Sequence, residues 1–300
     1  MKIIHFISGL KSGGTERNLY KLLKKSKNKN IIFSFSKENF YFKNKNIKIY
    51  FPNKKSLIAN LSHLFKIPKI LKSEKPVIVY CWMIHANIFA GLISYFCGFK
   101  NIIWNIRSSG KEYSFRNRNL TLFLFLIFLS YIVPKKIVFN SNFSLLSHNR
   151  KFFNKKNNFV IFNGFEEKKF FLKPRKKIIN YLCVARNHPI KNHQLLFEAF
   201  YLLDKTFSEW KLTLVGRNIN LLKIKTQKHK KYKKILKKIN FFDEKDNLKS
   251  FYKNSNFVVL SSHAESFPNV VGEAMSYGIP VISTNVGDVK NLIINKKLLV

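Results

Sequence analysis

Hydrophobic and polar positions follow two rhythms along this chain. Short runs rich in Ile, Val, Phe and Tyr, bounded by Asn, Ser, Gly or Lys, predict buried strands. Between them, apolar residues recur every three or four positions and predict helices. Strands are expected at Ile3–Ile7, Ile31–Phe35, Ile47–Phe51, Val77–Tyr80, Ile102–Ile106, Ile137–Asn140 and Phe159–Phe162. Helices are expected at Thr15–Lys25, Ile58–Leu71, Asn87–Phe96, Leu120–Ile132 and Phe143–Arg150. The alternation pauses at Asn163-Gly164 and the charged stretch Glu166–Lys177, which contains Pro174. It then restarts, with strands at Ile179–Val184, Lys211–Val215, Ile239–Phe241, Phe257–Leu260 and Val281–Ser283. Helices at His193–Leu203, Leu221–Leu236, Asn247–Asn254, Pro268–Tyr277 and Val289–Ile294 fill the gaps. Such alternation builds parallel sheets with crossover helices on both faces. Two doubly wound α/β domains are therefore expected, residues 1–165 and 178–300. Ligands of such sheets collect beyond the carboxyl ends of the strands, which directs the search for chemistry to the loops that follow strands.

One segment departs from amphipathic patterning. Leu120 to Val133 carries no charge and is flanked by Arg116, Arg118, Lys135 and Lys136. A bilayer-spanning helix needs about 17–25 apolar residues, so this run is too short. It reads as a core helix or as a helix lying in a membrane interface. Residues 3–10 are apolar but short, and Lys2 and Lys11 bracket them as they would a first buried strand.

Composition narrows the classes. Hydrophobic residues make up 46% of 300, enough for two cores and too many for a disordered chain. Three cysteines (Cys81, Cys97, Cys183), far apart, exclude a disulfide scaffold, and their spacing fits no structural zinc site. The net charge of +40, from 55 Lys+Arg against 15 Asp+Glu, suits a nucleic-acid or membrane-surface binder. Yet the basic residues are spread over the whole length, and Lys, Asn, Ile and Phe rise together, as AT-rich coding would produce. The charge alone does not select a substrate, but the scarcity of acid makes each carboxylate in a post-strand loop informative.

Three post-strand loops carry candidate chemistry. Ser8-Gly9-Leu10-Lys11-Ser12-Gly13-Gly14-Thr15-Glu16 leads into a helix, where glycines admit a close ligand and free N–H groups face an anion. It has neither dinucleotide-binding nor P-loop spacing, so a plain turn fits as well. Ala185-Arg186-Asn187-His188-Pro189-Ile190-Lys191 places a guanidinium fork and a point charge before a helix, both suited to phosphate oxygens. The third loop runs from Leu260 through Glu265-Ser266-Phe267-Pro268-Asn269-Val270 to Glu273, with Pro268 at a helix start. One carboxylate before the helix and one on its second turn would bracket an anion held at that N-terminus. A nucleotide diphosphate-sugar matches this: Glu265 toward sugar hydroxyls, helix N–H groups toward phosphate, Glu273 toward ribose. A helix cap plus an ordinary helix-face Glu is the plainer alternative.

These residues resemble the donor-binding signature of glycosyltransferase family 4, E-x7-E from Glu265 to Glu273 with its FPN and EAM-x-x-G-x-P continuation. Gly13-Gly14-Thr15-Glu16, Trp82-Met83-Ile84-His85-Ala86-Asn87, Trp104-Asn105-Ile106-Arg107, Asn163-Gly164-Phe165 and Val184-Ala185-Arg186 with Lys191 extend the similarity over most of the chain. The resemblance implies a GT-B fold, two Rossmann-like parallel-sheet domains facing a cleft, and a retaining hexosyltransferase. It implies Gly13 and Gly14 at the donor phosphate, His85 near the reacting carbon, and Arg186 and Lys191 on the diphosphate. Glu265 would hold sugar hydroxyls and Glu273 the ribose, while Phe267, Asn269 and Val270 would line the sugar. No Asp-x-Asp follows a strand, so transfer without a bound metal is expected, with no cofactor beyond the UDP- or GDP-sugar donor.

Ser266 stands where the family often has Gly. The chain ends at Leu298-Leu299-Val300, where the family usually continues, so the second domain is expected to be incomplete, as a fragment or a short form with reduced activity. The function expected is sugar transfer to a surface-glycan or lipid-linked acceptor in capsule or lipopolysaccharide biosynthesis. The setting would be cytoplasmic, against the anionic inner face of the membrane, without nucleic acid. A same-fold epimerase or phosphorylase is one alternative, and a basic nucleic-acid- or membrane-binding protein is another.

Overall fold

A computed structural model describes residues 1–42, 47–52, 62–110, 120–166 and 177–293. Residues 167–176 of the expected linker, the beginning of the helix expected at Ile58, Arg116 and Arg118, and the chain end beyond 293 lie outside the described residues. Two compact units divide between Asn163 and Gly164.

The N-terminal unit is a seven-stranded, wholly parallel sheet of order β3-β2-β1-β4-β5-β6-β7. Its strands are β1 (Lys2–Ile7), β2 (Lys29–Ser34), β3 (Lys48–Tyr50), β4 (Ile78–Trp82), β5 (Ile102–Ile106), β6 (Lys136–Phe139) and β7 (Asn158–Val160). Its helices are α1 (Gly14–Lys25), α2 (Ile67–Glu74), α3 (Gly91–Phe96), α4 (Leu120–Ser130) and α5 (Asn142–Asn149). Both faces of the sheet are covered, which is why the strands read as nearly continuous apolar runs. Ile4, Phe6, Phe33, Val79, Trp104 and Phe139 pack into one core. Ile7, Leu19, Leu23, Ile32 and Trp82 form a second. The sequence predicts one regular helix over Asn87–Phe96. The structure instead passes from a helical turn, Met83–His85, through a π-helical turn, Ala86–Ala90, into α3. Helix α4 buries Phe123, Leu126 and Leu129 while Leu124, Phe125 and Phe128 stay exposed. No helix among the described residues is long and apolar enough to cross a membrane.

At the amino edge of this sheet Glu74 ends α2 and is nearly buried. Its carboxylate accepts hydrogen bonds from Lys48 Nζ and Tyr50 Oη (2.8 Å) and pairs with Lys2 Nζ at 3.5 Å. The Lys48 and Tyr50 hydrogen bonds hold its pKa down at about 2. A carboxylate with a depressed folded-state pKa adds stability above its unfolded value, lost as pH falls toward the folded one. Glu74→Gln should therefore cost about 2 kcal/mol at pH 7. Urea unfolding should also show wild-type stability falling faster than the variant's as pH drops from about 4.5 to about 2.

The C-terminal unit is a five-stranded parallel sheet of order β10-β9-β8-β11-β12. These strands are β8 (Ile179–Val184), β9 (Trp210–Val215), β10 (Ile239–Phe242), β11 (Phe257–Leu260) and β12 (Val281–Ser283). The helices are α6 (His193–Thr206), α7 (Ile219–Gln227), α8 (Lys249–Asn254), α9 (Asn269–Ser276) and α10 (Val289–Leu292). Cores on the two faces center on Leu182, Val258, Leu260 and Val271, and on Phe197, Phe200, Trp210 and Leu214. Two expected helices are corrected. The helix at Leu221–Leu236 stops at Gln227 and gives way to 3₁₀ turns at Lys230–Tyr232 and Ile235–Lys238. Tyr232 and Ile235, three residues apart, are both buried, the spacing a 3₁₀ turn aligns. Lys231 and Lys238 meanwhile reach Glu198 and Asp204 of α6. The helix expected from Pro268 starts one residue later, with Pro268 extended as its cap.

Candidate donor-binding site

In the C-terminal unit the chain order reverses between β8 and β11, the switch point where open α/β sheets bind ligands. The loops after these two strands are tied together. His263 N–H donates to Ile190 O at 2.8 Å, and Ser261 Oγ donates to Lys191 O at 2.9 Å. Across them Lys191 Nζ pairs with Glu265 Oε1, which also accepts from Ser262 Oγ at 2.7 Å. Both donors use the same carboxylate oxygen, and Oε2 has no partner among the described residues. Glu265 is thus held in place with one acceptor available to a hydroxyl.

Arg186 follows β8 directly, is exposed, and makes no hydrogen bond or ion pair among the described residues. Its backbone is fixed from the neighboring strand. Asn187 N–H donates to Arg217 O at 2.9 Å, and Ala185 N–H donates to Val215 O at 2.9 Å. A Cβ on Gly216 would lie 2.2 Å from Ala185 O and 2.9 Å from Arg186 N. Only glycine admits that approach. Arg217 was not singled out from sequence, where it was one of 55 basic residues. The sequence shows only that Gly216-Arg217 immediately follows a strand, and the fold adds that this strand borders β8. Arg186, Lys191 and Arg217 all act on His188, whose pKa is lowered by burial first and then by these three positive charges. An anion bound to them should raise it. In an NMR titration the His188 ring should titrate below 6.5 in the free protein and shift upward when pyrophosphate is added.

The remaining predicted residues of this unit follow β11 and lie on α9 or just before it. Asn269 and Val270 open α9, which Pro268 precedes as the cap residue. Phe267 is buried and stacks on Phe165 with ring centroids 6.1 Å apart. A Cβ on Gly272 would meet the Phe165 ring at 2.3 Å, so the ring rests on the α9 backbone. This contact accounts for Phe165 and Gly272 together. Ser266 is buried, and its carbonyl accepts from Asp288 N–H at 3.2 Å. Glu273 is buried too, and its Oε2 accepts from Tyr252 Oη at 2.8 Å. Tyr252 of α8 was not foreseen, because nothing in the sequence spacing pairs it with Glu273.

In the N-terminal unit the order reverses between β1 and β4. Gly13 caps α1 after β1 and Gly14 begins it. The carboxylate of Glu16 folds back over this end, so that a Cβ on Gly13 would lie 2.2 Å from Glu16 Oε2. His85 follows β4, exposed, and desolvation lowers its pKa. It stands between two irregularities: Met83 has φ of 70° and the π-helical turn begins at Ala86. Positive φ at a residue with a Cβ and single π-turns both concentrate at functional sites. Among the described residues no three His, Cys, Asp or Glu gather as a metal site would require.

Residues 164–300, the span of the C-terminal unit, match the family model described as glycosyl transferases group 1. A capsular polysaccharide biosynthesis glycosyltransferase of Staphylococcus aureus, CapH, is 27% identical over 246 residues, covering 76% of this chain and 65% of CapH. An uncharacterized glycosyltransferase of Haemophilus influenzae is 28% identical over 117 residues, 39% of this chain and 33% of its own length. The chain thus spans less than two thirds of either relative. Among solved structures, Anabaena HepE in complex with UDP-glucose superposes with a TM-score of 0.82 at 16% identity, covering 98% of this chain and 83% of HepE. That likeness shows the fold: two parallel-sheet α/β domains of the GT-B type.

Proposed function

We propose that this chain is a retaining GT-B glycosyltransferase that moves a sugar from a UDP- or GDP-sugar to a surface-glycan or lipid-linked acceptor. The observation that carries the reading is the arrangement at the β8/β11 switch point, where Lys191 pairs with Glu265 ahead of α9 and acts on His188 together with Arg186 and Arg217. A diphosphate is the group such a site suits, and the complex of HepE with UDP-glucose supports the donor class. The part CapH takes in capsular polysaccharide biosynthesis supports the acceptor class.

In this reading Arg186 and Lys191 bind the diphosphate, and Glu265 takes sugar hydroxyls through Oε2. Glu273, braced by Tyr252, takes the ribose, while Phe267, Asn269 and Val270 line the sugar. Gly13, Gly14 and His85 keep the roles that the family resemblance implies, at the donor phosphate and near the reacting carbon. Transfer breaks the bond between the anomeric carbon and the β-phosphate oxygen and forms the acceptor C–O bond on the same face. The acceptor's proton passes to the departing phosphate. As that phosphate gains charge, the cations bind it more strongly than in the ground state, which lowers the barrier. Fixed cations and helix N–H groups take the place of a metal. The exposed Leu124, Phe125 and Phe128 with Lys135 and Lys136 nearby support residence at an anionic membrane face in the cytoplasm.

A panel of UDP- and GDP-sugars, assayed for released nucleotide with and without lipid-linked glycan, tests the proposal. Acceptor-dependent release from one donor is the expected result. Acceptor-independent formation of an epimer or a sugar phosphate would move the chain to the epimerase or phosphorylase class.

A further inference from the structure

One cation in the N-terminal unit has no part in the site described above. Arg107 follows β5 and is half-buried, yet it forms no ion pair with a carboxylate among the described residues. Two neutral oxygens hold it: Nη1 donates to Asn105 Oδ1 at 3.4 Å and Nη2 donates to Asn163 Oδ1. The guanidinium carbon lies 5.8 Å from the Trp82 ring center. Each support is itself braced. Asn105 is buried and donates from Nδ2 to Tyr80 Oη at 3.2 Å. Trp82 donates from Nε1 to buried His5 Nδ1 at 3.2 Å, and His5 bonds Asn30 through its other nitrogen.

Desolvating a cation without a carboxylate in ion-pair contact is costly, and neutral carboxamides position it without neutralizing it. Of the five N–H bonds of a guanidinium, two are used among the described residues. Desolvation brings its pKa down to about 10, with Tyr80 and Glu16 opposing. In a chain this basic, unpaired cations on the surface mean little. A desolvated one on a rigid aromatic and amide mount, at the carboxyl edge next to the β1/β4 reversal, is a different object.

We propose that Arg107 is the anion-binding side chain of the N-terminal unit and receives a phosphate group of a substrate. That the phosphate belongs to a substrate rests on the transferase reading, whereas the anion site does not. The phosphate is either the donor's diphosphate or a phosphate carried by the acceptor.

The test titrates UDP, GDP, inorganic pyrophosphate and geranyl phosphate into wild type, Arg107→Gln and Arg107→Lys by calorimetry. At least one probe should bind Arg107→Gln about tenfold or more weakly, with Arg107→Lys between the two, since Lys keeps the charge and loses the fork. Loss for UDP or GDP and for pyrophosphate assigns the donor. Loss confined to geranyl phosphate assigns the acceptor. If neither UDP nor GDP binds wild type, the transferase reading fails while pyrophosphate and geranyl phosphate still decide the anion site. The wild-type protein gives a second measurement independent of folding of the variants. Phenylglyoxal modification of Arg107, followed by mass spectrometry, should be suppressed by the probe that binds. Unchanged affinities in a folded Arg107→Gln, or modification unaffected by all four probes, would overturn the proposal.

Discussion

Replacing Arg186 by alanine should lower turnover by about 10²–10³-fold, the usual loss when one donor to transition-state charge is removed. The side chain is exposed and makes no hydrogen bond or ion pair among the described residues, so it adds nothing that the folded state would miss. Removing one of the three cations around His188 even relieves mutual repulsion. Stability should therefore change by no more than about 0.5 kcal/mol. Arg186→Lys should fall between the two, because an ammonium keeps the charge but loses the bidentate fork. The checks are nucleotide release from the preferred donor and a thermal melt of the same preparation. Unchanged turnover, or an activity loss matched by unfolding, would remove Arg186 from its assigned role.

Gly216→Ala should damage stability and binding together. Two effects oppose each other at this position. Alanine restricts the unfolded chain, which stabilizes by about 0.4–1 kcal/mol where the native backbone tolerates it. Here the new Cβ would meet Ala185 O at 2.2 Å and the Ala185 carbonyl carbon at 2.5 Å. Both are backbone atoms, held by hydrogen bonds to β9 and the following loop, so neither side can yield cheaply. Overpacking of this kind costs about 1–3 kcal/mol, and the clash wins. Relief must come from moving the Ala185–Asn187 segment, which carries Arg186 away from Lys191. The expected result is a melting temperature several degrees lower and UDP affinity reduced by about tenfold or more. A variant with wild-type melting and affinity would show that β9 does not constrain the Arg186 loop.

The contrast between these two positions shows what the sequence could reveal. Arg186, Lys191 and Glu265 were legible because each stands in a polar loop after a strand whose limits are sharp. Ile179–Val184, Phe257–Leu260 and Val281–Ser283 are short, mostly apolar runs rich in β-branched and aromatic residues, and the observed strands have the same limits. Ile102–Ile106 is a fourth such case. What escaped depends on spatial order. Arg217 joins the cluster because β9 borders β8, and Tyr252 braces Glu273 across 21 residues of chain. The left-handed Met83 and the π-helical turn beside His85 leave no mark in residue type, since both are imposed by packing. The sequence predicts one helix over Leu221–Leu236 because the few apolar residues after Gln227 also fit a helical period, although they follow the 3₁₀ one.

Binding of a nucleotide diphosphate through Glu273 tests the central claim most directly. Glu273→Gln keeps an oxygen to accept the Tyr252 hydroxyl, so the buried contact survives while the charge is removed. UDP at about a hundred times its Kd should stabilize wild type by about 2.7 kcal/mol, read as a rise in Tm of several degrees. The Gln variant should melt near wild type without ligand and gain little or nothing from UDP or GDP. An equal gain in both proteins, or no gain from any nucleotide alongside steeply salt-dependent DNA binding, would contradict the account.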